Sequence, residues 1–304
     1  RQPSGGTVHI EDIQDQVELA LMRSGEHDVA RAYVLYREKR SQQRALMHTS
    51  PDQAVVHVTE NGLRIPLDPQ HLQAIIQAAC SGLEEFASAE GIFKETVKNL
   101  YDGVSTDEIF KSAILAARSQ LEKDPAYSTV TARLLLHTIR KEVLGEEVEQ
   151  AAMATRYAEY FPQFIARGIE GGLLDAKLAT YDLARLGAAL KDTRDLQFTY
   201  LGLQTLYDRY FLHIQGTRIE LPQAFFMRVA MGLALEEADR EARAIEFYNI
   251  LSSFDFMSST PTLFNAGTLH SQLSSCYLTT VADSLESIYD AIKENALLAK
   301  YAGG

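Results

Sequence analysis

Cys276 carries the most chemistry-bearing position in this chain. It follows two serines in Gln272-Leu-Ser-Ser-Cys-Tyr-Leu, and the only other cysteine in the 304 residues is Cys80. Such a cysteine reads two ways. It is a small buried hydrophobe, or it is a redox thiol, which requires a second thiol or electropositive surroundings that favour thiolate. Ser274 and Ser275 bring hydroxyls that suit a hydroxylated ligand, or serve as ordinary strand or turn polarity. Cys80 lies in the apolar run Ile75-Ile-Gln-Ala-Ala-Cys and reads as core, so a redox partner for Cys276 has to come from elsewhere. Asp283, in Asp283-Ser-Leu-Glu-Ser-Ile-Tyr, reads as the N-cap of a helix running to about Lys300. The free N–H groups at such an end also suit ligand oxygens. Ala302-Gly-Gly would let backbone approach a ligand closely.

Other site signatures are missing from the sequence. There is no phosphate-binding loop of the Walker type, no His-Glu-x-x-His, no Cys-x-x-Cys and no nucleophile elbow. The eight histidines are scattered, and none pairs with acidic residues at metal-ligand spacing, so no metal site is expected. The net charge of −12 excludes a general binder of nucleic-acid backbone, which needs a basic face. No apolar run reaches the ~20 residues of a membrane helix, and no signal peptide opens the chain. Two cysteines give no disulfide framework, which points to a reducing cytoplasm. The chain begins without Met and ends Lys300-Tyr-Ala-Gly-Gly, and it reads as a piece of a longer protein.

The elements that position these residues are mainly helical. Helices are expected at 11–23 and 29–40, with a polar stretch over 41–54. Val55-Val-His-Val-Thr and Leu63-Arg-Ile-Pro flank Asn61-Gly62, the pattern of a tight hairpin. Helices follow at 70–80, 91–101, 106–122 and 128–143, broken at Asp102-Gly103 and Lys123-Asp-Pro125. Residues 150–255 are mostly helical, with apolar spacing of three and four over 157–167, 178–189 and 221–235. Phe198-Thr-Tyr-Leu, Tyr210-Phe-Leu-His and Thr217-Arg-Ile-Glu cluster aromatic and β-branched residues and predict a small sheet. One late strand is expected at Ser275–Thr280. The helix pair holding Ile13 and Val29–Arg37 repeats in that holding Ile109 and Val130–Arg140, through duplication or because amphipathic helix pairs look alike.

Four blocks, taken in order, resemble the large subunit of class I ribonucleotide reductase: Phe256-Met-Ser-Ser-Thr-Pro-Thr-Leu-Phe-Asn-Ala-Gly, Gln272-Leu-Ser-Ser-Cys-Tyr-Leu, Asp283-Ser-Leu-Glu-Ser-Ile-Tyr and Ala299-Lys-Tyr-Ala-Gly-Gly. The resemblance covers nearly the whole chain but only the front of a much longer subunit. It implies a mainly α fold: the second half of an ATP-cone over 1–45, a second, degenerate ATP-cone over 46–147, the helical N-terminal domain over 148–255, and over 256–304 the start of a ten-stranded α/β barrel, ending at its first strand. Val8-His-Ile-Glu-Asp-Ile-Gln-Asp-Gln-Val-Glu and Ala32-Tyr-Val-Leu-Tyr-Arg-Glu-Lys-Arg carry the resemblance to the first cone.

The implied activity is reduction of a ribonucleoside diphosphate at C2′ by thiyl-radical chemistry. By this resemblance Cys276 is catalytic, one half of a redox dithiol, and Thr260, Ser275, Cys276 and Gly304 contact substrate. The second redox cysteine and the radical cysteine would follow Gly304, so these 304 residues alone should be inactive. Asp283, Ser284, Leu285 and Lys300 match the site for deoxynucleoside triphosphate and ATP effectors. No cofactor is implied on this chain; the radical would come from a metal-containing small subunit. Further implied partners are a second copy of the subunit in a homodimer or higher oligomer, and thioredoxin or glutaredoxin. The second cone carries Thr59-Glu-Asn-Gly62 where the family has a basic pair, so it is expected to bind nucleotide poorly. The competing readings are the adenosylcobalamin-dependent class II enzyme and a non-catalytic nucleotide-binding regulatory module.

Overall fold

The computed structural model describes residues 56–60 and 63–300, together with residues 17, 20, 21, 24, 29 and 31–36. Residues 31–36 are helical, inside the helix expected at 29–40, whereas most of the helix expected at 11–23 lies outside the described residues. The chain divides into two units. The first holds Arg1–Asp68 and Asn99–Thr106, the second Pro69–Lys98 and Asp107–Gly304.

In the first unit, β1 (His57–Glu60) pairs antiparallel with β2 (Leu63–Pro66), Glu60 opposite Leu63. This is the hairpin register expected about Asn61-Gly62, the two turn residues themselves lying outside the described residues. β3 (Val104–Ser105) joins the other edge of β1 in parallel, with Val58 opposite Val104. Asp102 fixes that pairing. Its Oδ1 accepts the His57 N–H at 2.8 Å and lies 3.1 Å from His57 Nδ1, while Oδ2 pairs with Arg64. The His57 N–H holds the Asp102 carboxyl below its usual range. Gly103, at φ 86°, donates its N–H to the His57 carbonyl at 2.8 Å. The sequence marked Asp102-Gly103 as a helix break; it is also the anchor of a strand.

The second unit is helical. α1 (Pro69–Cys80), α2 (Ala89–Lys98), α3 (Thr106–Arg118) and α4 (Ala126–Leu144) follow the expected helices to within a few residues. α1 buries Leu72, Ile76, Ala79 and Cys80, the one-sided stripe that a 3.6-residue period places against a core. Gly145, at φ 76°, ends α4 by donating its N–H to the Lys141 carbonyl. α5 (Met153–Glu170) buries Tyr157, Phe161, Phe164 and Ile165.

Residues 178–189 do not form one helix. A 3₁₀ turn at Ala176–Thr180 and a short helix α6 (Leu183–Ala188) replace it. The cause is two successive caps: Asp175 accepts the Lys177 N–H and Asp182 accepts the Arg185 N–H, both at 2.9 Å, and each restarts the helix. The expected small sheet is also revised. Only β4 (His213–Ile214) and β5 (Thr217–Arg218) pair, about Gln215 and Gly216, both at positive φ as a twisted two-residue hairpin requires. The second half of the Phe198-Thr-Tyr-Leu segment instead opens α7 (Tyr200–Thr205), which continues as one π turn over Leu206–Tyr210. Phe198 is buried just ahead of the helix while Tyr200 is part-buried on it, so the local β propensity of the segment does not decide its structure.

α8 (Pro222–Leu233) starts with proline at its first turn and is buried at nearly every position, the signature of a central helix. α9 (Arg240–Ser252) packs along it. One buried polar network crosses this core. Asp195, 2% exposed, accepts from Arg140 Nη2 at 2.8 Å, the Tyr157 hydroxyl at 2.9 Å and Gln223 Nε2 at 2.9 Å. Gln223 Oε1 accepts from the Tyr248 hydroxyl, which accepts the Lys191 N–H, each at 2.8 Å. Burial raises the Asp195 carboxyl and the Tyr157 hydroxyl above their usual values, with Arg140 opposing both shifts. α10 (Thr260–Asn265) and α11 (Leu285–Lys300) complete the described chain.

The late strand expected at Ser275–Thr280 is not formed. A strand exists by pairing, and no described segment pairs with this one. Among the described residues no helix is long and apolar enough to cross a membrane.

Candidate active site

The segment holding Cys276 is positioned from the buried core outward. Arg228 on α8 is fully buried, an expensive place for a cation unless every donor is used. Its Nε meets Glu220 Oε1 at 2.7 Å, Nη1 donates to the Ala266 carbonyl at 2.7 Å, and Nη2 donates to the Leu263 carbonyl at 3.2 Å. Those two carbonyls lie at the end of α10, so the guanidinium caps that helix. Glu220 is itself buried and accepts the Leu212 N–H through Oε2 at 2.8 Å. α8 and the end of α10 touch backbone to backbone at Gly232 and Gly267, the latter at φ 78°.

α10 in turn holds the approach to the cysteine. Thr262 Oγ1 donates to the Leu273 carbonyl at 2.9 Å, and Asn265 Nδ2 donates to the Gln272 carbonyl at 2.8 Å. Gln272 Nε2 donates to the Ser274 carbonyl at 2.7 Å and to the Tyr277 hydroxyl. Cys276 is an exposed free thiol, with Ser275 Oγ 3.7 Å from its sulfur. Thr260, at the start of α10, is exposed, and its hydroxyl lies 3.2 Å from that of Tyr210. Thr260, Ser275 and Cys276 therefore sit at the two ends of one braced segment. Gly304 lies outside the described residues. Cys80 is buried on α1 and its thiol is pushed up by desolvation, which makes it a poor thiolate and agrees with the core reading.

The cap of α11 differs from expectation. Ser284, not Asp283, takes that place: its Oγ accepts the Ser287 N–H at 3.3 Å, and Ser287 Oγ accepts the Ala282 N–H at 2.8 Å. Asp283, Ser284 and Leu285 are all exposed. Lys300 is at the opposite end of the 16-residue helix. At 1.5 Å per residue the two ends are ~24 Å apart, so one chain does not bring Lys300 to the same contact as Asp283.

A separate cavity of about 690 Å³ is lined by α1, α4 and the segment after Gly145. The basic side chains in and beside it have partners within the protein. Glu147 takes His71 at 2.8 Å and Lys141 at 2.7 Å, Arg140 pairs with Asp195, and Arg133 Nη1 donates to the Ala79 and Ser81 carbonyls. Burial favours neutral His137 beside them.

Two residues of the site escape sequence reasoning. Arg228 interrupts the apolar run of α8 and was readable as a charge needing a buried partner. Nothing in the sequence links Tyr210 to Thr260, fifty residues on.

Residues 196–271 match the family described as "Ribonucleotide reductase, all-alpha domain", and residues 1–42 match "ATP cone domain". The chain is 43% identical over 98% of its length to the ribonucleoside-diphosphate reductase subunit alpha of Chlamydia trachomatis, of which it covers 29%. It is 38% identical over 81% of its length to the subunit alpha of Helicobacter pylori, covering 30%, and 37% identical over 75% to the large subunit of Danio rerio, covering 28%. The chain belongs to the ribonucleotide reductase large-subunit family, and spans less than a third of the length of these curated relatives.

Proposed function

We propose that this chain is part of a large subunit that reduces ribonucleoside diphosphates, with Cys276 as one thiol of the reducing pair. The observation that supports this best is an exposed thiol on a segment braced by α10 and the buried Arg228, inside the motif blocks shared with the reductases. In the reaction the substrate C2′–OH bond breaks, hydroxyl leaves as water, and a C2′–H bond forms. Two thiols supply the two electrons and close to a disulfide, which an external dithiol such as thioredoxin or glutaredoxin reopens by exchange. Thr260 and Ser275 contribute hydroxyls to the substrate, and Gly304 a close backbone approach. The radical that starts turnover comes from a metal-containing small subunit. Thiyl-radical initiation requires a further cysteine from the rest of the subunit, so these 304 residues alone are inactive.

Regulation is assigned to two places. Residues 1–45 belong to an ATP-cone, and Asp283, Ser284 and Leu285 at the head of α11 form an effector contact for deoxynucleoside triphosphates. Lys300 belongs to the same effector site and, at the far end of the 16-residue α11, reaches that contact from a second copy of the chain. The subunit works as a homodimer or larger assembly in the cytoplasm. Residues 46–147 form a second cone that does not bind nucleotide tightly, because Glu60 stands where a triphosphate would need a cation.

Substitution tests the central assignment. In the complete subunit, assayed with its small subunit and a dithiol, Cys276→Ser brings multiple-turnover reduction to background, while Cys80→Ala leaves it within about twofold because Cys80 only fills core. Sustained turnover in Cys276→Ser would refute the assignment.

A further inference from the structure

The π turn that closes α7 has a visible consequence. An α-helix advances 100° per residue, and one extra residue in a turn rotates everything after it by that amount; such turns recur at functional sites. Here the turn spans Leu206–Tyr210 and is closed by the Phe211 N–H donating to the Leu206 carbonyl at 2.9 Å. The rotation lays the Tyr210 ring on Phe264 of α10, with centroids 4.4 Å apart and planes 17° from parallel, and sets it edge-on to Phe225 at 6.3 Å. The turn is fixed from behind. The Tyr207 hydroxyl donates to Glu142 at 2.7 Å, Glu142 also accepts the Arg218 N–H at 2.8 Å, and the Arg218 guanidinium covers the Tyr207 ring at 4.0 Å. A ring so confined gives its hydroxyl little freedom, and that hydroxyl lies 3.2 Å from Thr260 Oγ1.

We propose that Tyr210 is a positioning residue that acts through Thr260, donating its hydroxyl hydrogen to Thr260 Oγ1 so that the threonine presents its own hydrogen outward to an acceptor oxygen of the substrate. This rests on the reading that Thr260 contacts substrate. A threonine hydroxyl has one donor and two acceptor lone pairs, so it presents either outward. A fixed tyrosine donor on one lone pair halves the remaining acceptor capacity, biases the threonine hydrogen outward and strengthens the bond that hydrogen makes by polarisation. The threonine thereby selects a substrate oxygen that accepts, a phosphate or ether oxygen, over a group that only donates.

The test uses the complete subunit with its radical-supplying partner, in three variants. Tyr210→Phe keeps the ring and removes the hydroxyl. It is expected to raise KM for a ribonucleoside diphosphate about fivefold with kcat unchanged, the loss of one neutral hydrogen bond made equally in ground and transition states. Its unfolding midpoint should stay within about 1 °C of the parent, because the ring contacts persist. Thr260→Val should raise KM at least as much, and the double variant should be no worse than Thr260→Val alone. If Thr260→Val raises KM and Tyr210→Phe does not, the relay is overturned and the substrate contact stands. If Thr260→Val leaves KM unchanged, the contact falls and the relay with it. Additive effects in the double variant, or a fall in kcat together with a lower unfolding midpoint in Tyr210→Phe, would make the tyrosine independent of Thr260 and overturn the proposal.

Discussion

Arg228→Met should destabilise the helical unit by about 3–5 kcal/mol, the cost of breaking a buried ion pair from one side. Methionine fills the volume of the side chain but leaves the Glu220 carboxylate, 0% exposed, without its cation. It also strips the Leu263 and Ala266 carbonyls of their donors at 3.2 and 2.7 Å. Chemical denaturation followed by helical circular dichroism reads the loss. Adding Glu220→Gln should recover part of it, because glutamine needs no countercharge and still accepts the Leu212 N–H. The carbonyls stay unpaired in the double variant, so recovery is incomplete. An Arg228→Met protein as stable as the parent would mean that the guanidinium is not what binds α10 to α8.

The second large effect is steric and needs only one carbon. A methyl group on Gly232 would lie 2.5 Å from the Ala266 carbonyl carbon and 2.9 Å from Gly267 Cα, and would overlap the Gly267 nitrogen. These are backbone atoms on a segment pinned by Arg228, so no side chain can swing aside. Gly232→Ala gains ~1 kcal/mol of helix propensity. Forced separation of α8 from the end of α10 costs more, at or above the upper end of the ~1–3 kcal/mol seen for overpacked cores. The expected net result is a loss of ~2 kcal/mol. Gly202→Ala is the control: on α7 the added methyl meets only Thr199 Oγ1 at 3.7 Å, so the same substitution should stabilise by a few tenths to ~1 kcal/mol. Equal signs for the two would show that the Gly232 contact does not decide the packing. Because α10 holds the Gln272 and Leu273 carbonyls, Gly232→Ala should also disturb the segment before Cys276.

These two residues mark where sequence reasoning stops. α1, α4 and α8 were legible because apolar side chains recur at helical spacing and proline or glycine marks their ends. The β1–β2 hairpin was legible because Asn-Gly specifies its turn locally. β3 was not, since its pairing depends on Asp102 reaching back to His57, 45 residues earlier. The break in 178–189 was encoded by Asp175 and Asp182, but their caps are visible only once the apolar pattern is set aside. Ser275–Thr280 has the composition of a strand, yet a strand is a property of two segments and no described segment pairs with this stretch. Of the candidate site, Ser275, Cys276 and Asp283 stand out in the sequence by residue chemistry and capping, whereas Thr260 and the roles assigned to all four come from motif resemblance. Arg228 and Tyr210 make contacts with residues 38 and 50 positions further along the chain, which no local period reports.

The most direct measurement of the central claim is the redox state of Cys276 after one turnover. The complete subunit, fully reduced and combined with its small subunit, is given a ribonucleoside diphosphate but no external dithiol. It is then quenched with an alkylating agent and mapped by mass spectrometry. Cys276 should escape alkylation in proportion to the deoxynucleotide formed and be recovered in a disulfide, while Cys80 remains a thiol once the protein is unfolded for labelling. Deoxynucleotide formed with Cys276 still fully alkylated would contradict the central claim.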